Sequence, residues 1–350
     1  MIQKTIDSIK PLDQKAIEEA QERQNNLTKP AGSLGRLEEG SIQLAGIFRN
    51  PLPAIKDKVI ITMAGDHGVA KTGVSAFPPE VTPQMVMNFL YGGAAINALA
   101  SHVGARITVV DMGVAFDFEP HPNLVDKKVA MGTQNILEGP AMTPEQAKAA
   151  VQAGIEVVTE EIEKGLDIVG TGDMGIGNTT PSAAIASVLT GKPAAKIAGR
   201  GTGVDDEGLQ IKIKAIETAI EVNQPNPNDG FDILAKVGGF EIGGLVGVIL
   251  GAAANGKAIM VDGFISTAAA MLAVSIAPMV KPYLISAHRS QEFGHQLMLE
   301  WLDLEPIVDL NFRLGEGTGA ALGISIAEAS CKVLSEMATF AEAGVSDKED

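Results

Sequence analysis

Five short apolar runs, each ending in polar residues or glycine and each followed by a stretch with helical spacing, constrain the fold most. Continuous apolar strands that alternate with helices are typical of a parallel sheet covered on both faces. The pattern therefore predicts an α/β fold with a parallel, Rossmann-like sheet. The runs are "KVIITMAGDHG" (58–68), "ARITVVDMG" (105–113), "LDIVGTGDMG" (166–175), "KAIMVDGF" (257–264) and "PYLISAHRS" (282–290), with a sixth, shorter one in "AAKIAGRGTG" (194–203).

The two ends of the chain lack this pattern. Residues 1–50 and 320–350 have helical spacing without strand signals, so we expect them to form one small helical domain. Residues 51–319 should form the large α/β catalytic domain. Ligands of parallel sheets bind beyond the carboxyl ends of the strands. The polar residues that end the apolar runs should therefore converge on one crevice; they are Asp66-His67, Asp111, Asp173, Asp262 and His288-Arg289.

Composition limits the partners and the location. A net charge of −16 argues against nucleic acid or an anionic membrane surface as a partner, and it requires any phosphate site to be built from local groups. The single cysteine, Cys331, cannot form an internal disulfide, so a reducing cytoplasm is the expected location. We expect Cys331 itself to be a packing residue in a helix. The amino-terminal residues show no signal peptide. Residues 263–280 carry no charge, but their Ala/Ser/Gly-rich composition favours a buried helix over a membrane span.

The loop "GTGDMGIGNTT" (170–180) is the strongest local signal for a ligand. Its glycines satisfy G-x-G-x-x-G, yet the "KPAAKIAGR" that follows about 20 positions on has no acid to hold a ribose, which disfavours a dinucleotide site. Consecutive backbone N–H groups and two hydroxyls at a helix N-terminus instead predict an anion site. A tight turn that merely requires glycine is the alternative.

Two further glycine loops carry charged residues. "GRGTGVDDEGLQIKIK" (199–214) offers Arg200, Thr202 and two lysines, of which only Lys212 or Lys214 can face the crevice because they lie two residues apart on a helix. "RLGEGTGAALG" (313–323) places Glu316 between two glycines, which permit another molecule to approach the backbone. A solvated acid at a helix N-terminus is the alternative interpretation of Glu316.

Metal binding is not indicated by the histidines. His67, His288 and His295 lack a metal-ligand spacing such as H-E-x-x-H, and we interpret each as a hydrogen-bonding loop histidine. The sequence therefore predicts no metal site.

Eight blocks in register connect these loops to a known family. They are "NNLTKPAGSLGRLEE" (25–39), "AGDHGVA", "GDMGIGNTT", "GRGTGVDDEGL", "GGFEIGGLVG" (238–247), "DGFISTAAA", "SAHRSQEFGH" and "LGEGTGAAL". Together they resemble the nicotinate-nucleotide–dimethylbenzimidazole phosphoribosyltransferases over residues 25–330. The resemblance implies a homodimeric enzyme of cobalamin lower-ligand assembly. Its substrates would be nicotinate mononucleotide and 5,6-dimethylbenzimidazole, its products α-ribazole 5′-phosphate and nicotinate, and it would need no cofactor.

The same resemblance assigns roles to individual residues. It implies that Glu316 is the catalytic base and that Asp173, where some members carry Glu, supports it. Phosphate and ribose contacts would come from Gly175, Asn178, Thr179, Lys212 and Ser290. The benzimidazole pocket would be formed by Ser75, Gln84, Met85 and Leu314. A relative that activates another base or a phenolic lower ligand, and a non-catalytic nucleotide-binding protein, remain alternatives.

Overall fold

Six parallel strands form one sheet at the centre of the computed structural model, which describes residues 1–201 and 203–346. The strands are β1 (Lys58–Gly65), β2 (Arg106–Gly113), β3 (Leu124–Asp126), β4 (Ile168–Met174), β5 (Ala258–Val261) and β6 (Leu284–Ser286). Their order is β3-β2-β1-β4-β5-β6, and every neighbouring pair is parallel. This order reverses between β1 and β4, which is the position where Rossmann-type sheets open a ligand crevice.

The five main apolar runs are strands, as the sequence predicted, but the sixth run is not. Within 194–203, Ala194–Ile197 forms one turn of helix instead, because alanine favours helix and Pro193 precedes the turn with its φ already restricted. The sixth strand is Leu124–Asp126, which pairs with the end of β2 at the sheet edge. Three residues are too few to show a strand period in the sequence. Thr202 lies outside the described residues.

Helices fill the connections between strands. They are α1 (Ile2–Asp7), α2 (Gln14–Asn26), α3 (Arg36–Phe48), α4 (Val81–Leu90), α5 (Ala95–Val103), α6 (Pro144–Glu163), α7 (Thr179–Thr190), α8 (Ala194–Ile197), α9 (Asp206–Asn223), α10 (Gly230–Val237), α11 (Phe240–Ala254), α12 (Phe264–Ile276), α13 (His295–Leu302), α14 (Thr318–Glu336) and α15 (Phe340–Ala343), with 3₁₀ turns at Gly68–Thr72 and Pro278–Tyr283. Residues 224–229 join α9 to α10.

Helices cover both faces of the sheet, as the alternation within β1 illustrates. Ile60 and Thr62 point to one face, where they meet Gly317 and the Glu316 carbonyl at the start of α14. Met63 points to the opposite face and contacts Gly244 of α11. Successive strand residues face opposite sides, so α11 and α14 lie on opposite faces. A parallel sheet enclosed in this way is buried on both sides, which explains its continuous apolar runs.

The two chain ends pack together. Arg23 on α2 donates hydrogen bonds to the Leu334 and Met337 carbonyls, at 2.7 and 3.1 Å. A small apolar cluster of Ala20, Ala45 and Leu334 lies between α2, α3 and α14. These contacts support the division that we propose, with a small helical domain from 1–50 and 320–350 and a large domain from 51–319. Helix α14 crosses the proposed boundary, because its first turns pack on the sheet; residues 347–350 lie outside the described part of the chain.

Two further sequence interpretations concern buried segments. Phe264–Ile276 is a helix whose first ten residues are buried, as its composition predicted. Among the described residues, none of the helices has the length and apolarity needed to cross a membrane. Cys331 is buried in α14 as a free thiol, and this burial raises its pKa to about 12. The thiol is therefore a packing group, as predicted.

Candidate active site

A cavity of about 630 Å³ opens beyond the carboxyl ends of β4, β5 and β6. It lies at the edge of the sheet where parallel-sheet proteins bind ligands. Most of the residues predicted for the site line it; they are Met85, Asp173, Gly175, Asn178, Thr179, Ser290, Leu314 and Glu316. The glycine loops that are separated by more than a hundred residues in the sequence are therefore parts of one site.

The loop after β4 lines the cavity through Gly175, Ile176, Asn178 and Thr179. We call this loop, together with Ser290 and the adjoining Lys212, the phosphate end. Asn178 lies at the N-cap of α7, and its side-chain amide donates to Asp173 Oδ2 at 2.9 Å. Gly177 has a φ of +89°, a conformation that glycine adopts without strain. The amides of the first turn of a helix have no intrahelical acceptor, so the loop presents an anion site.

Lys212 supplies the cation beside this loop. It is 1% exposed, whereas Lys214 is exposed to solvent. Lys212 does not itself line the cavity, but it contacts Thr179, which does; its role in the site remains a prediction. Lys212 Nζ donates to Thr179 Oγ1 at 2.8 Å and to the Gly199 carbonyl at 3.3 Å. Burial lowers the pKa of Lys212, and the nearby charge of Glu292 counteracts that effect.

Glu316 lines the cavity as well, and with the buried carboxyl groups of Asp173 and Asp262 it forms a cluster that we call the reaction end. Its φ is +63°, between Gly315 at +83° and Gly317 at +94°. A left-handed conformation is uncommon for a residue with a side chain, and it marks a position held by its surroundings. The Thr62 hydroxyl holds the Glu316 carbonyl at 3.1 Å, and the Ile96 amide donates to Oε2 at 3.3 Å. Ile96 lies in the first turn of α5, where a negative charge is favourable.

Burial changes the titration of the carboxylates at the reaction end. The pKa of Glu316 is raised because the side chain is buried, and the Ile96 amide partly offsets the effect. Burial, followed by the charge of Asp262, raises the pKa of Asp173 to about 8. Burial also raises the pKa of Asp262 to about 7, although the amides of α14 favour its charged form. Neighbouring carboxylates in a buried site do not all ionise at neutral pH.

Asp262 has a role that the sequence did not reveal. Its Oδ1 accepts from the Ala320 amide at 2.9 Å, and its Oδ2 accepts from the Gly317 amide at 3.2 Å. The carboxylate at the end of β5 therefore fixes the first turn of α14, where Glu316 is displayed. Its place at a strand end was visible in the sequence, but its partners were not.

Two residues predicted for the base pocket do not line the cavity. Ser75 is half-buried in the loop before α4, where its hydroxyl accepts from the Phe77 amide at 3.2 Å. Gln84 is exposed on α4, next to Met85, which does line the cavity. The assignment of Ser75 and Gln84 to base binding remains a prediction.

The expectation that all strand-end polar residues meet in one crevice is wrong for Asp66, His67, Asp111 and Arg289, which do not line this cavity. Asp111 ends β2, on the far side of β1 from β4, and pairs with Lys128 at 2.9 Å. The exposed side chain of Arg289 faces Asp309 at 3.8 Å. Strand order explains Asp111, because the cavity lies beyond β4, β5 and β6. Arg289 follows β6, but its side chain is exposed to solvent.

The histidines make hydrogen bonds or packing contacts. His67 Nε2 bonds Glu241 at 2.7 Å, and His295 Nε2 bonds the Thr267 hydroxyl at 2.9 Å. His288 lines the cavity and stacks on Phe312 with ring centroids 4.0 Å apart. Burial lowers the pKa of His288 to about 4, so its ring is neutral. Its two ring nitrogens have no hydrogen-bond partner among the described residues, so the prediction of a hydrogen-bonding role is wrong for His288. Among those same residues, no group of three His, Cys, Asp or Glu side chains could hold a metal ion.

Glu292 is a further cavity residue that sequence reasoning missed. It is 5% exposed and lies two positions after Ser290, in the "SAHRSQEFGH" segment. The sequence signal that could have indicated Glu292 is an acid two positions from a predicted phosphate contact. The charged residues beside it, Lys212 and Arg313, come from two other parts of the chain.

Comparison with known proteins agrees with this architecture. A family model described as phosphoribosyltransferase matches residues 9–345. The chain is 57% identical over 348 residues to the nicotinate-nucleotide–dimethylbenzimidazole phosphoribosyltransferase of Chloroflexus aurantiacus, covering 99% of each chain. It is 58% identical over 348 residues to the enzyme of that name from Roseiflexus, again covering 99% of each chain.

The chain belongs to the nicotinate-nucleotide–dimethylbenzimidazole phosphoribosyltransferase family. The crystal structure of CobT from Thermus thermophilus superimposes with a TM-score of 0.93 at 43% sequence identity, covering 95% of this chain and 100% of that one. This protein is therefore an α/β phosphoribosyltransferase whose substrates are small molecules.

Proposed function

We propose that the protein transfers the 5-phosphoribosyl group of nicotinate mononucleotide to 5,6-dimethylbenzimidazole, giving α-ribazole 5′-phosphate and nicotinate for the lower ligand of cobalamin. The observation that carries the proposal is one shared cavity. The buried carboxylate of Glu316 and the start of α7 both line it, and the buried Lys212 donates a hydrogen bond to Thr179 of α7. Such a site can hold a nucleotide by its phosphate and place a base beside C1′.

The chemistry requires one proton acceptor. The pyridinium of nicotinate mononucleotide is cationic and departs as a neutral ring, so its departure needs no general acid. The attacking benzimidazole nitrogen donates its electron pair to C1′ while the C1′–N bond to nicotinate breaks. The base becomes cationic, and its second nitrogen then loses the N–H proton to Glu316. Attack on the face opposite nicotinate converts a β-nucleotide into an α-nucleotide.

The setting of Glu316 suits this role. A general base works best when its pKa lies near the working pH, and burial moves the Glu316 pKa upward towards that range. The left-handed turn holds the carboxylate at the cavity wall before a ligand arrives. Preorganisation of this kind avoids rearrangement during the reaction.

Asp173 has a different role in this proposal. With a pKa of about 8 it is mainly protonated at neutral pH, and Asn178 donates to its Oδ2. A neutral Asp173 can donate a hydrogen bond to a ligand and leaves Glu316 as the ionised acceptor. The pair therefore divides into a supporting acid and a base.

The phosphate and base contacts follow from position. We assign the 5′-phosphate to the Gly175–Thr179 loop with Lys212, and the adjoining contacts to Ser290. Met85 and Leu314 present apolar surface in the same cavity, together with Phe77, which suits an aromatic ring. Ser75 and Gln84 would complete this pocket only if the α4 region moves on binding.

Assembly and location are also proposals. We propose a homodimer, supported by large apolar side chains that are exposed on the described surface, including Tyr91 at 74% and Phe77 at 51%. Sedimentation equilibrium tests it, and a monomer at micromolar concentration would contradict it. We also propose a cytoplasmic location, which the single, free Cys331 supports. The reaction as written needs no cofactor.

The deciding experiment incubates the protein with nicotinate mononucleotide and a panel of bases and phenols, and identifies the products by mass spectrometry. Release of nicotinate with formation of α-ribazole 5′-phosphate supports the proposal. Preference for another base or a phenol would replace 5,6-dimethylbenzimidazole as the substrate. Binding of the nucleotide without nicotinate release from any acceptor would indicate a non-catalytic protein.

A further inference from the structure

Two buried groups of opposite charge flank the backbone of residues 199–201 at the phosphate end. Lys212 is 1% exposed and Glu292 is 5% exposed. A Cβ atom at Gly201 would lie 2.6 Å from Lys212 Nζ, and one at Gly199 would collide with the Glu292 carboxylate. Both side chains therefore pack on the same short segment, although Lys212 lies on α9 and Glu292 lies in the loop after β6.

Lys212 lacks a neutralising group in direct contact. The two acceptors of its described hydrogen bonds, the Thr179 hydroxyl and the Gly199 carbonyl, are uncharged. An ammonium has three donors, so one remains for a ligand. A buried lysine with only neutral partners tends to lose its proton, and burial does lower the pKa of Lys212. A deprotonated amine would be a poor phosphate ligand.

Glu292 supplies the missing negative charge. Its Oε2 is buried and has no hydrogen-bond partner among the described residues, and its Oε1 lies 3.9 Å from Arg313 Nε. Burial raises the pKa of Glu292, while the charges of Lys212 and Arg313 lower it. The carboxylate in turn raises the pKa of Lys212. Each group of the pair thus stabilises the charged form of the other.

We propose that Glu292 is a positioning residue that acts through Lys212: its carboxylate keeps the buried ammonium charged while the phosphate site is empty, so that the 5′-phosphate of the incoming nucleotide meets a cation. When phosphate binds, Arg313 remains beside Glu292 and balances its charge. The identity of the nucleotide rests on the proposed function, but the role of Glu292 requires only that the ligand carry a phosphate.

The other charged groups around the pair are paired, exposed or neutral. Arg200 pairs with Asp206, Asp232 with Lys236, and Lys196 and Lys214 are exposed. Burial lowers the pKa of His295 to about 3 and that of His288 to about 4. Helix α7, which packs on α9, has no titratable side chain. Across the cavity lie Asp173 and Glu316, and Asp205 caps α9. Glu292 is therefore the buried acid that governs the charge of Lys212.

The test measures the dissociation constant of nicotinate mononucleotide between pH 7 and 10 for the wild type, Glu292→Gln and the matched control Glu300→Gln, whose side chain is exposed. As pH rises, the affinity for nicotinate mononucleotide should begin to decline when Lys212 loses its proton. In Glu292→Gln this decline should begin about one to three pH units lower than in the wild type, the usual range for removal of a nearby charge. Beyond that point the loss should be about tenfold per pH unit, as one proton leaves. Glu300→Gln should follow the wild type.

A phosphate-free ligand separates this role from a structural one. Nicotinate riboside should bind the wild type and Glu292→Gln equally, because Glu292 acts on the phosphate through Lys212. Equal weakening of nucleotide and riboside, or a loss that is the same at every pH, would overturn the proposal. Adding Lys212→Arg to Glu292→Gln should restore pH-independent binding, since arginine stays protonated; if the double variant does not fold, the riboside comparison still decides.

Failure of the proposed function would look different. Wild-type turnover is measured first, and its absence counts against the reaction alone. Inorganic phosphate can then be titrated in place of the nucleotide, and the same difference in pH dependence between the wild type and Glu292→Gln is expected. Identical profiles for inorganic phosphate in the two proteins would contradict the role of Glu292.

Discussion

The two ends of the cavity handle charge in opposite ways. The phosphate end consists of neutral donors and one buried cation, Lys212, with the buried carboxyl group of Glu292 nearby. The reaction end consists of three buried carboxyl groups, Asp173, Asp262 and Glu316, of which two have pKa values raised to about 8 and about 7. In the function that we propose, the phosphate end receives the negative charge of the nucleotide and the reaction end accepts a proton.

This difference shows how a chain with a net charge of −16 can bind a nucleotide. The overall field repels a phosphate, so attraction must be local, from helix amides and Lys212. The same acidity is tolerated at the reaction end because burial keeps protons on part of the carboxyl cluster. The two ends therefore predict different responses to substitution and to pH.

The largest effect should come from the reaction end. Glu316→Gln is nearly isosteric and should bind both substrates, but it should lose turnover by about two to four orders of magnitude, the range that positioned proton transfer supplies. Because only the ionised carboxylate accepts a proton, the wild-type rate should decline as pH falls through the raised pKa of Glu316. That acid limb should be absent from the variant.

The measurement is kcat against pH, with Glu336→Gln on the exposed end of α14 as the control. Near-normal turnover by a folded Glu316→Gln protein, judged by circular dichroism, would show that the proton leaves by another route. Asp173 would then be the next candidate for the base.

The next largest effect tests the phosphate end. Lys212→Ala removes a charged hydrogen-bond donor, which should raise KM for the nucleotide by about tenfold to a hundredfold. The KM for the benzimidazole should change far less, because the contacts that we propose for the base, Met85 and Leu314, do not include Lys212. Lys214→Ala, two residues on and exposed, is the matched control. Equal losses for both substrates would argue against the phosphate assignment of Lys212.

The sequence predicted some features of Glu316 and Lys212, the residues changed in these two predictions, but not others. The glycines around Glu316 indicated that another molecule could approach the backbone there, but the sequence did not predict the positive φ of Gly315, Glu316 and Gly317. The spacing of Lys212 and Lys214 allowed only one to face the site. The partners of Glu316 could not be predicted, because the Ile96 amide lies 220 residues away and the Asp262 carboxylate that holds Gly317 lies 55 away. Such contacts depend on strand order, which periodicity does not determine.

The same limit applies to the sheet. Long apolar runs predicted five strands, because burial on both faces leaves a clear trace in the sequence. Leu124–Asp126 was missed because its pairing with β2, rather than its own pattern, makes it a strand. The signal of Glu292 was weak for a similar reason, since its neighbours Lys212 and Arg313 come from two other loops.

A smaller effect should appear in stability. Asp173 has an ordinary pKa of 3.8 when unfolded and about 8 when folded, so between these values the folded protein holds a proton that the unfolded chain has lost. Stability should therefore fall as pH rises through this window and level off above it. Asp173→Asn removes this dependence. As pH rises, the free energy of unfolding of the variant should therefore increase relative to that of the wild type, by ~1.4 kcal/mol for each unit by which the pKa of Asp173 is raised on folding.

Urea unfolding at pH 5 and pH 8.5 measures this difference, with the exposed Asp117→Asn as the control. A wild type and an Asp173→Asn variant whose stabilities change in parallel with pH would mean that Asp173 is ionised at neutral pH. The contrast between a protonated acid and an ionised base at the reaction end would then be lost.

The smallest expected effect is that of chelation on turnover. A metal ion assists group transfer by neutralising charge on the leaving group or by activating a nucleophile. Nicotinate mononucleotide already carries its leaving group as a cation, and the benzimidazole nitrogen attacks with its own lone pair, so neither kind of assistance is required. In the proposed function, the amides at the start of α7 and Lys212, which contacts Thr179, offset the phosphate charge, so no divalent ion is required for this either. We therefore expect kcat and the KM for the nucleotide to be unchanged after dialysis against EDTA.

In Lys212→Ala, by contrast, added Mg²⁺ should recover part of the lost affinity, because the phosphate end would then lack its cation. Loss of wild-type turnover on chelation, restored by a divalent ion, would show that the local cation at this end is a metal rather than the lysine.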